Sequence, residues 1–401
     1  MLLGDGLSGD LVHTVDELVA MGLKEPSDTP LWTSEAWWRF VAADPDHEVV
    51  FLVISDGTGP VAVAPAIVAR GPENLLFYNP PRILGDFSAI GAERLLTADE
   101  RAAVDAAAPA VSALREALYP SLAVGVFGSN LGLRAFDGHH SVDRARLVPA
   151  LARLGGEAAA RRGCRSHALL YLDPDEDAAL RDPSAQRLVF GGEGILDLPP
   201  GGLDGYLGSL PSRRRIAVRR EIRQYADLGV HTTVHYGPDA LTDEHVPLRA
   251  ALRARYGHAA GQRWVETEFA TLRRTLGDRL VVFSARRGER IIGYLMAARC
   301  GDVLYTRAAG FDYAASAGAF CYFNLVYYDV VRWAERAGVR RVHYGLGTSA
   351  AKHHRGCALL PRWAYLWLPG GESADAVRTT LTAQHATAAR LLTGLGVTLP
   401  A

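Results

Sequence analysis

The sequence lacks a long uncharged apolar run, a paired cysteine pattern and a surplus of charge of either sign. No window approaches eighteen apolar residues without a charge, which excludes a membrane-spanning helix of ordinary length. The opening MLLGDGLSGDLVHTVDELVAMGL has no basic stretch followed by an apolar one, and acidic residues interrupt it, so no secretory leader is expected. The four cysteines, Cys164, Cys300, Cys321 and Cys357, form no CxxC pair and no metal-ligand spacing. A cytoplasmic protein with reduced thiols is the expectation. With 43 basic against 44 acidic side chains, a surface that is basic throughout is excluded, although a local basic patch is not. Lysine is scarce, and there are no repeats or low-complexity stretches. A chain of 401 residues holds material for two domains.

What is present is an alternation of strand and helix patterns. EVVFLVISDG and GPVAVAPAIVAR flank a glycine turn and predict a hairpin, with a third strand at ENLLFYNP. Helices are predicted over 11–24, from a cap at Thr33 or Ser34 through Trp37, Trp38 and Phe40, over 97–119, and near 148–162. SLAVGVFGS and CRSHALLYLDP read as strands. FYNPPRILGDFS reads as a Pro-Pro crossing that carries Arg82 and Asp86 and is a candidate substrate wall. DEDAALRDPSAQRLVFGGEGILDLPPGG is broken by Pro and Gly, so the domain junction is placed between 163 and 205.

In the second half, helices are predicted over 245–256 and 265–276, and a hairpin over RLVVFSARRGERIIGYLMAAR with its turn at 286–289. Residues 303–357 form the densest stretch. VLYT predicts a half-buried strand. Phe323, Val326, Tyr327, Val330 and Trp333 fall at helical steps and stop at Gly338, and VRRVHYG predicts a further strand. SRRRIAVRREIRQYADLGV predicts a helix with Arg213, Arg214, Arg215, Arg219, Arg220 and Arg223, and Glu221 is the one acid among them. Arg215, Arg219 and Arg223 share a face there, with Ile216, Val218 and Ile222 largely turned away. Such a face suits phosphate or an RNA backbone, and equally a solvated surface paired within the molecule.

Three segments, in this order and spacing over roughly residues 200–365, carry a family resemblance: SRRRIAVRREIRQYADLGV, RIIGYLMAAR and HYGLGTSAAKHHRGC. They resemble the Arg-rich opening helix, the central strand and the terminal Gly-Lys-Gly segment of the Fem-like amino-acid ligases. These are a branch of the GNAT acyltransferase superfamily with bacterial peptidoglycan biosynthesis/recognition relatives. The resemblance implies an α/β fold of two GNAT-like domains, each a mixed sheet flanked by helices. Residues 1–163 would form the degenerate domain and 164–401 the acyltransferase domain. It implies an N-acyltransferase that moves an aminoacyl group from charged tRNA to an amine of a small-molecule acceptor, a cell-wall precursor or a specialised-metabolite intermediate, with no bound cofactor. Acyl-CoA as donor, or a non-catalytic binding protein on the same fold, are the alternatives.

GNAT enzymes that use acyl-CoA hold its pyrophosphate on an R/Q-x-x-G-x-G/A turn. Here FDYAASAGAFCYF offers Ser316 and Gly318 but neither the Arg/Gln nor the second glycine, although a helix N-terminus could still accept an anion. The resemblance places Lys352 and Arg355 at the family's basic pair, where Lys352 would stabilise the oxyanion of ester aminolysis. Asp312 would take a proton from the amine and Tyr305 would return one to the leaving oxygen. Arg213, Arg215, Arg219 and Arg223 would contact the tRNA; Tyr344, Arg355, Arg307 and Arg82 would contact substrate. Each has a plainer reading: a packed tyrosine, a capping aspartate, a basic surface loop. His353 and His354 are adjacent and lack further ligands at metal spacing, so no metal is assigned. Cys321 and Cys357 read as small buried apolar residues.

Overall fold

The computed structural model describes residues 1–44, 48–72, 79–87, 93–125, 130–137, 143–255, 261–371 and 373–400. In the first half the apolar runs become β1 (Leu2–Gly4), β2 (Leu7–Val12), β3 (Glu48–Asp56), β4 (Gly59–Ala69), β5 (Ser121–Val124), β6 (Arg134–Ala135), β7 (Ser166–Leu172) and β8 (Gln186–Asp197). The second half supplies β9 (Val230–Tyr236), β10 (Leu280–Arg287), β11 (Arg290–Cys300), β12 (Val303–Phe311), β13 (Arg341–Gly345) and β14 (Ala358–Trp367).

The two halves repeat one plan. β2, β3, β4 and β5 are antiparallel neighbours, and β7 returns parallel to β5 after the helix Arg144–Arg161. Likewise β9, β10, β11 and β12 are antiparallel, and β13 returns parallel to β12 after the helical stretch from Cys321 to Ala337. The strand that follows each parallel pair then crosses over: β8 lies beside β13, and β14 lies beside β7. Because β8 and β14 also pair antiparallel with each other, the described strands join in one mixed sheet. The C-terminal helix Ala374–Gly394 follows β14 across and ties to the first half, where Gln384 donates to the Ile83 carbonyl and accepts from Gly85 N–H.

One face of the sheet carries a core shared by both halves, from Trp37, Trp38 and Phe51 to Phe269, Tyr294 and Met296. On the opposite face, helix Arg144–Arg161 covers the first half through Leu147, Leu151 and Leu154. The second half is covered there by Leu325, Val330 and Trp333, together with Val218 and Tyr225 of helix Ser212–Asp227.

Several local expectations change. β1 and β2 form an N-terminal hairpin around Gly4, Asp5 and Gly6, all at positive φ, so the helix expected over 11–24 shrinks to Val15–Ala20 behind a Thr14 cap. The Pro-Pro crossing contains a short helix, Pro80–Ile83, because Asn79 caps it and both prolines stand where helical N–H groups would be unpaired anyway. The segment expected to be irregular between 174 and 202 instead holds helix Pro174–Leu180 and the long strand β8. The expected strand at 73–80 lies mostly, and Tyr256 wholly, outside the described residues.

Candidate active site

The sheet opens where β12 and β13 part. Their parallel pairing runs only from Val303↔Arg341 to Tyr305↔His343. Beyond it β12 bulges at Arg307, and β13 makes an irregular step at Tyr344 as it follows β8 to Gly345↔Gly194. Lys352 lies beside it, at the end of β13 and against Gly194 of β8. It belongs to helix Ser349–His353 and is 4% exposed, and its ammonium donates to the carbonyls of Gly345 at 2.6 Å and Leu346 at 2.8 Å. Burial disfavours the charged amine and lowers its pKa to about 8. The chain has only one other lysine, Lys24, which is exposed.

Behind the opening, β8 contributes Glu193, a residue that sequence reasoning passed over. Its carboxylate is 1% exposed and bridges His343 Nδ1 on β13, at 2.8 Å, to Arg362 on β14, at 2.5 Å. Burial alone would raise this carboxyl, but the His343 hydrogen bond and the Arg362 charge outweigh it and hold the pKa at about 2. Tyr305 stacks on the His343 ring with centroids 4.8 Å apart and meets Trp32 edge-on, and burial raises its hydroxyl pKa. The only signal for Glu193 in the sequence is a lone acid in the middle of the apolar run LVFGGEGIL.

The remaining candidates divide into groups. Arg355 turns inward, pairs with Glu221 at 3.2 Å and lies 3.4 Å from the Phe323 ring centroid. Glu221 also accepts from Tyr328 OH, so the acid that stands among the arginines of the basic helix is used inside the fold. Tyr344 is buried against Tyr327 at 4.7 Å, and its hydroxyl has no hydrogen-bond partner among the described residues. These tyrosines meet at a π-helical turn, Asn324–Tyr328, a distortion that recurs at functional sites. Arg307 lies over Trp37 of the first half at 5.2 Å. Arg82 is half-buried in helix Pro80–Ile83 of the first half.

Asp312 stands apart, about 20 Å along β12 from Tyr305 at the usual rise per residue. Its side chain caps the N–H groups of Ala314 and Ala315 and pairs with Arg290. The turn after it uses its own backbone. Ser316 N–H donates to Asp312 O, Ala319 N–H donates to Ser316 O, and the Gly318 carbonyl accepts from Gln224.

Helix Ser212–Asp227 presents Arg213, Arg214, Arg219, Arg220 and Arg223 to solvent, with Arg215 half-buried. Among the described residues none of these six forms an ion pair. Its buried stripe is Val218, Glu221 and Tyr225, which leaves Ile216, expected to be turned away from the arginines, 65% exposed.

The profile of the FemAB-like family, described as peptidoglycan biosynthesis/recognition, matches residues 105–400, and the chain belongs to that family. Membership supports assignment as a transferase. No curated protein matches. Among solved structures, FemX is 10% identical, with 90% of this chain and 97% of that chain covered and a TM-score of 0.48. L-PGS from Bacillus licheniformis is 9% identical, with 85% and 90% covered and a TM-score of 0.47. A tandem GNAT protein from the clavulanic acid biosynthesis pathway is 14% identical, with 91% and 100% covered and a TM-score of 0.46. At these scores they are likenesses of general architecture. Among the described residues no helix is long and apolar enough to cross a membrane.

Proposed function

We propose that this chain forms an amide by transferring an aminoacyl group from a charged tRNA to an amine of a small-molecule acceptor, with Lys352 stabilising the charge that develops on the ester carbonyl oxygen. The observation that carries this reading is Lys352 itself. In a chain whose 43 basic residues are arginine at all but two positions, a lysine is enclosed at the end of β13, just past the point where its parallel pairing with β12 stops. Two backbone carbonyls fix its ammonium and leave a third donor. A compact point charge held in a dry site stabilises an oxyanion more than the neutral ester that precedes it.

Two further features favour tRNA over acyl-CoA. The turn at 312–320 directs several N–H groups into its own hydrogen bonds, so fewer remain for a pyrophosphate than the superfamily's donor loop provides. The arginines of helix Ser212–Asp227, which form no ion pair among the described residues, make a cationic face suited to a phosphate backbone. The acceptor would be a cell-wall precursor or a specialised-metabolite intermediate bearing a free amine. Purified protein incubated with an amine panel and mixed charged tRNA, acetyl-CoA or neither is the test. Amide formed only with charged tRNA supports the proposal; amide formed only with the thioester overturns it.

A further inference from the structure

His343 is the last residue of β13 paired with β12, two residues before the Gly345 carbonyl that holds the Lys352 ammonium, and the roles given to Lys352 and the arginines leave it no task. The Glu193 carboxylate is ionised throughout the neutral range and can only accept, so the hydrogen bond from His343 Nδ1 places the imidazole proton on that nitrogen. The lone pair of the neutral ring is then on Nε2, which makes no hydrogen bond among the described residues. Tyr305 stacked on the ring and Arg362 on the far carboxylate oxygen hold ring and carboxylate in place. An imidazole fixed through one nitrogen and open at the other is arranged to take a proton.

Its position relative to Lys352 matters as much. His343 and Gly345, whose carbonyl holds the Lys352 ammonium, are two residues apart on β13, about 7 Å along a strand. The Lys352 stem lies against Gly194 on one face of β8 and the His343 ring meets Glu193 on the other, so the cation and the open imidazole approach the end of the β12–β13 pairing from the two faces of the sheet. An ester carbonyl lying there would have its oxygen toward the first and an incoming amine toward the second.

We propose that His343 is the general base and then the general acid of the transfer, with Glu193 and Arg362 as positioning residues; the assignment rests on the aminoacyl-transfer reading above. The acceptor reaches the site as a neutral amine. Its nitrogen lone pair forms the new C–N bond, and the carbonyl π electrons move to oxygen, opposite Lys352. His343 Nε2 takes one N–H proton. When the oxygen's electron pair re-forms the carbonyl, the C–O ester bond breaks, and the ribose oxygen leaves with the proton that His343 had held. The products are an amide and a tRNA with its hydroxyl restored, and no oxidant or co-reactant is required.

The charged groups on the ring's side are Glu193 from β8 and, through it, Arg362 from β14, with Lys352 of helix Ser349–His353 across the sheet against Gly194, while Tyr305 from β12 stays neutral. Wild-type and His343→Gln proteins are compared in single-turnover reactions with charged tRNA and a saturating amine, across pH 5.5 to 9. Glutamine can still donate to Glu193, and a thermal melt checks the fold. We expect a loss on the order of 100-fold or more in rate, charged-tRNA affinity within about twofold, and disappearance of the acidic limb of the wild-type profile. A rate within about threefold of wild type, or a loss with the acidic limb intact, overturns the assignment. Should the variant not fold, the wild-type profile decides: a rate that does not fall on acidification rules His343 out. Amide formation by the wild-type protein reads the function itself, so product from both proteins at equal rate sinks the base alone, whereas no product from wild type sinks both.

Discussion

The stem of Lys352 lies directly on the backbone of Gly194: a Cβ added to Gly194 would stand 2.5 Å from Lys352 Cδ. The gap that lets the lysine reach the opening is therefore made by a missing side chain on β8, next to Glu193. Gly194→Ala should displace the lysine stem and lower kcat by at least about tenfold while the melt stays cooperative. Steady-state kinetics with a thermal melt checks this, and unchanged turnover would remove Lys352 from the chemistry.

Removal of the cation is the sharper experiment. Lys352→Ala should lose on the order of 100-fold in kcat, about 2.7 kcal/mol, with donor affinity little changed. Lys352→Arg should recover only part, because a planar guanidinium cannot take the ammonium's place between two carbonyls. A loss confined to KM would make the residue a binding group.

The pH dependence of stability carries a sign that can be read in advance. Lys352 has a folded pKa of about 8 against an ordinary value of 10.5, so between these values the unfolded chain binds the extra proton. The penalty is fully present below about 8 and fades as pH rises toward 10.5. Denaturant melts of wild type and Lys352→Met should therefore show wild type gaining relative stability across that window. A constant difference between the two would mean that the amine is solvated.

Glu193 behaves oppositely. Its pKa of about 2, depressed from 4.5, contributes stability that is complete above 4.5 and lost as pH falls toward 2. Glu193→Gln strands the buried Arg362 charge and should cost about 3–5 kcal/mol at neutral pH, with much of the difference vanishing in acid. Urea titrations at pH 7 and pH 3 report both.

On the basic helix, Arg219→Ala combined with Arg223→Ala should weaken tRNA retention and reduce the slope of log affinity against log salt by about 2. Retention measured from 50 to 300 mM salt tests this; an unchanged slope would assign the face to solvent.

The sequence announced its elements best where one periodicity ran undisturbed. Trp37, Trp38 and Phe40 follow a Ser34 cap, and Phe323 to Trp333 follow helical steps, although the π turn at Asn324–Tyr328 left no mark in them. β8 was illegible for a physical reason. Gly192 and Gly194 read as loop residues, yet the first is where Leu392 packs and the second where Lys352 packs, so the glycines that hide the strand are the ones its neighbours require. Lys352 could be found from the segment HYGLGTSAAKHHRGC, because the segment is continuous. The cluster of Glu193, His343 and Arg362 could not, since its members are brought together only by strands that change sides. Tyr305 lies on β12 and Asp312 just past its end, and the length of the strand separates them.

That exchange of strands also governs the order in which the molecule can be completed. A ribosome delivers β7 long before the strand that belongs beside it, because β14 is the last of the described strands in chain order. Until residues 358–367 emerge, the first half has an open edge at β7, and Glu193 waits without its arginine. The site is therefore finished by the same event that finishes the sheet, and a nascent chain cut short before β14 would carry Lys352 and His343 without the framework that orients them.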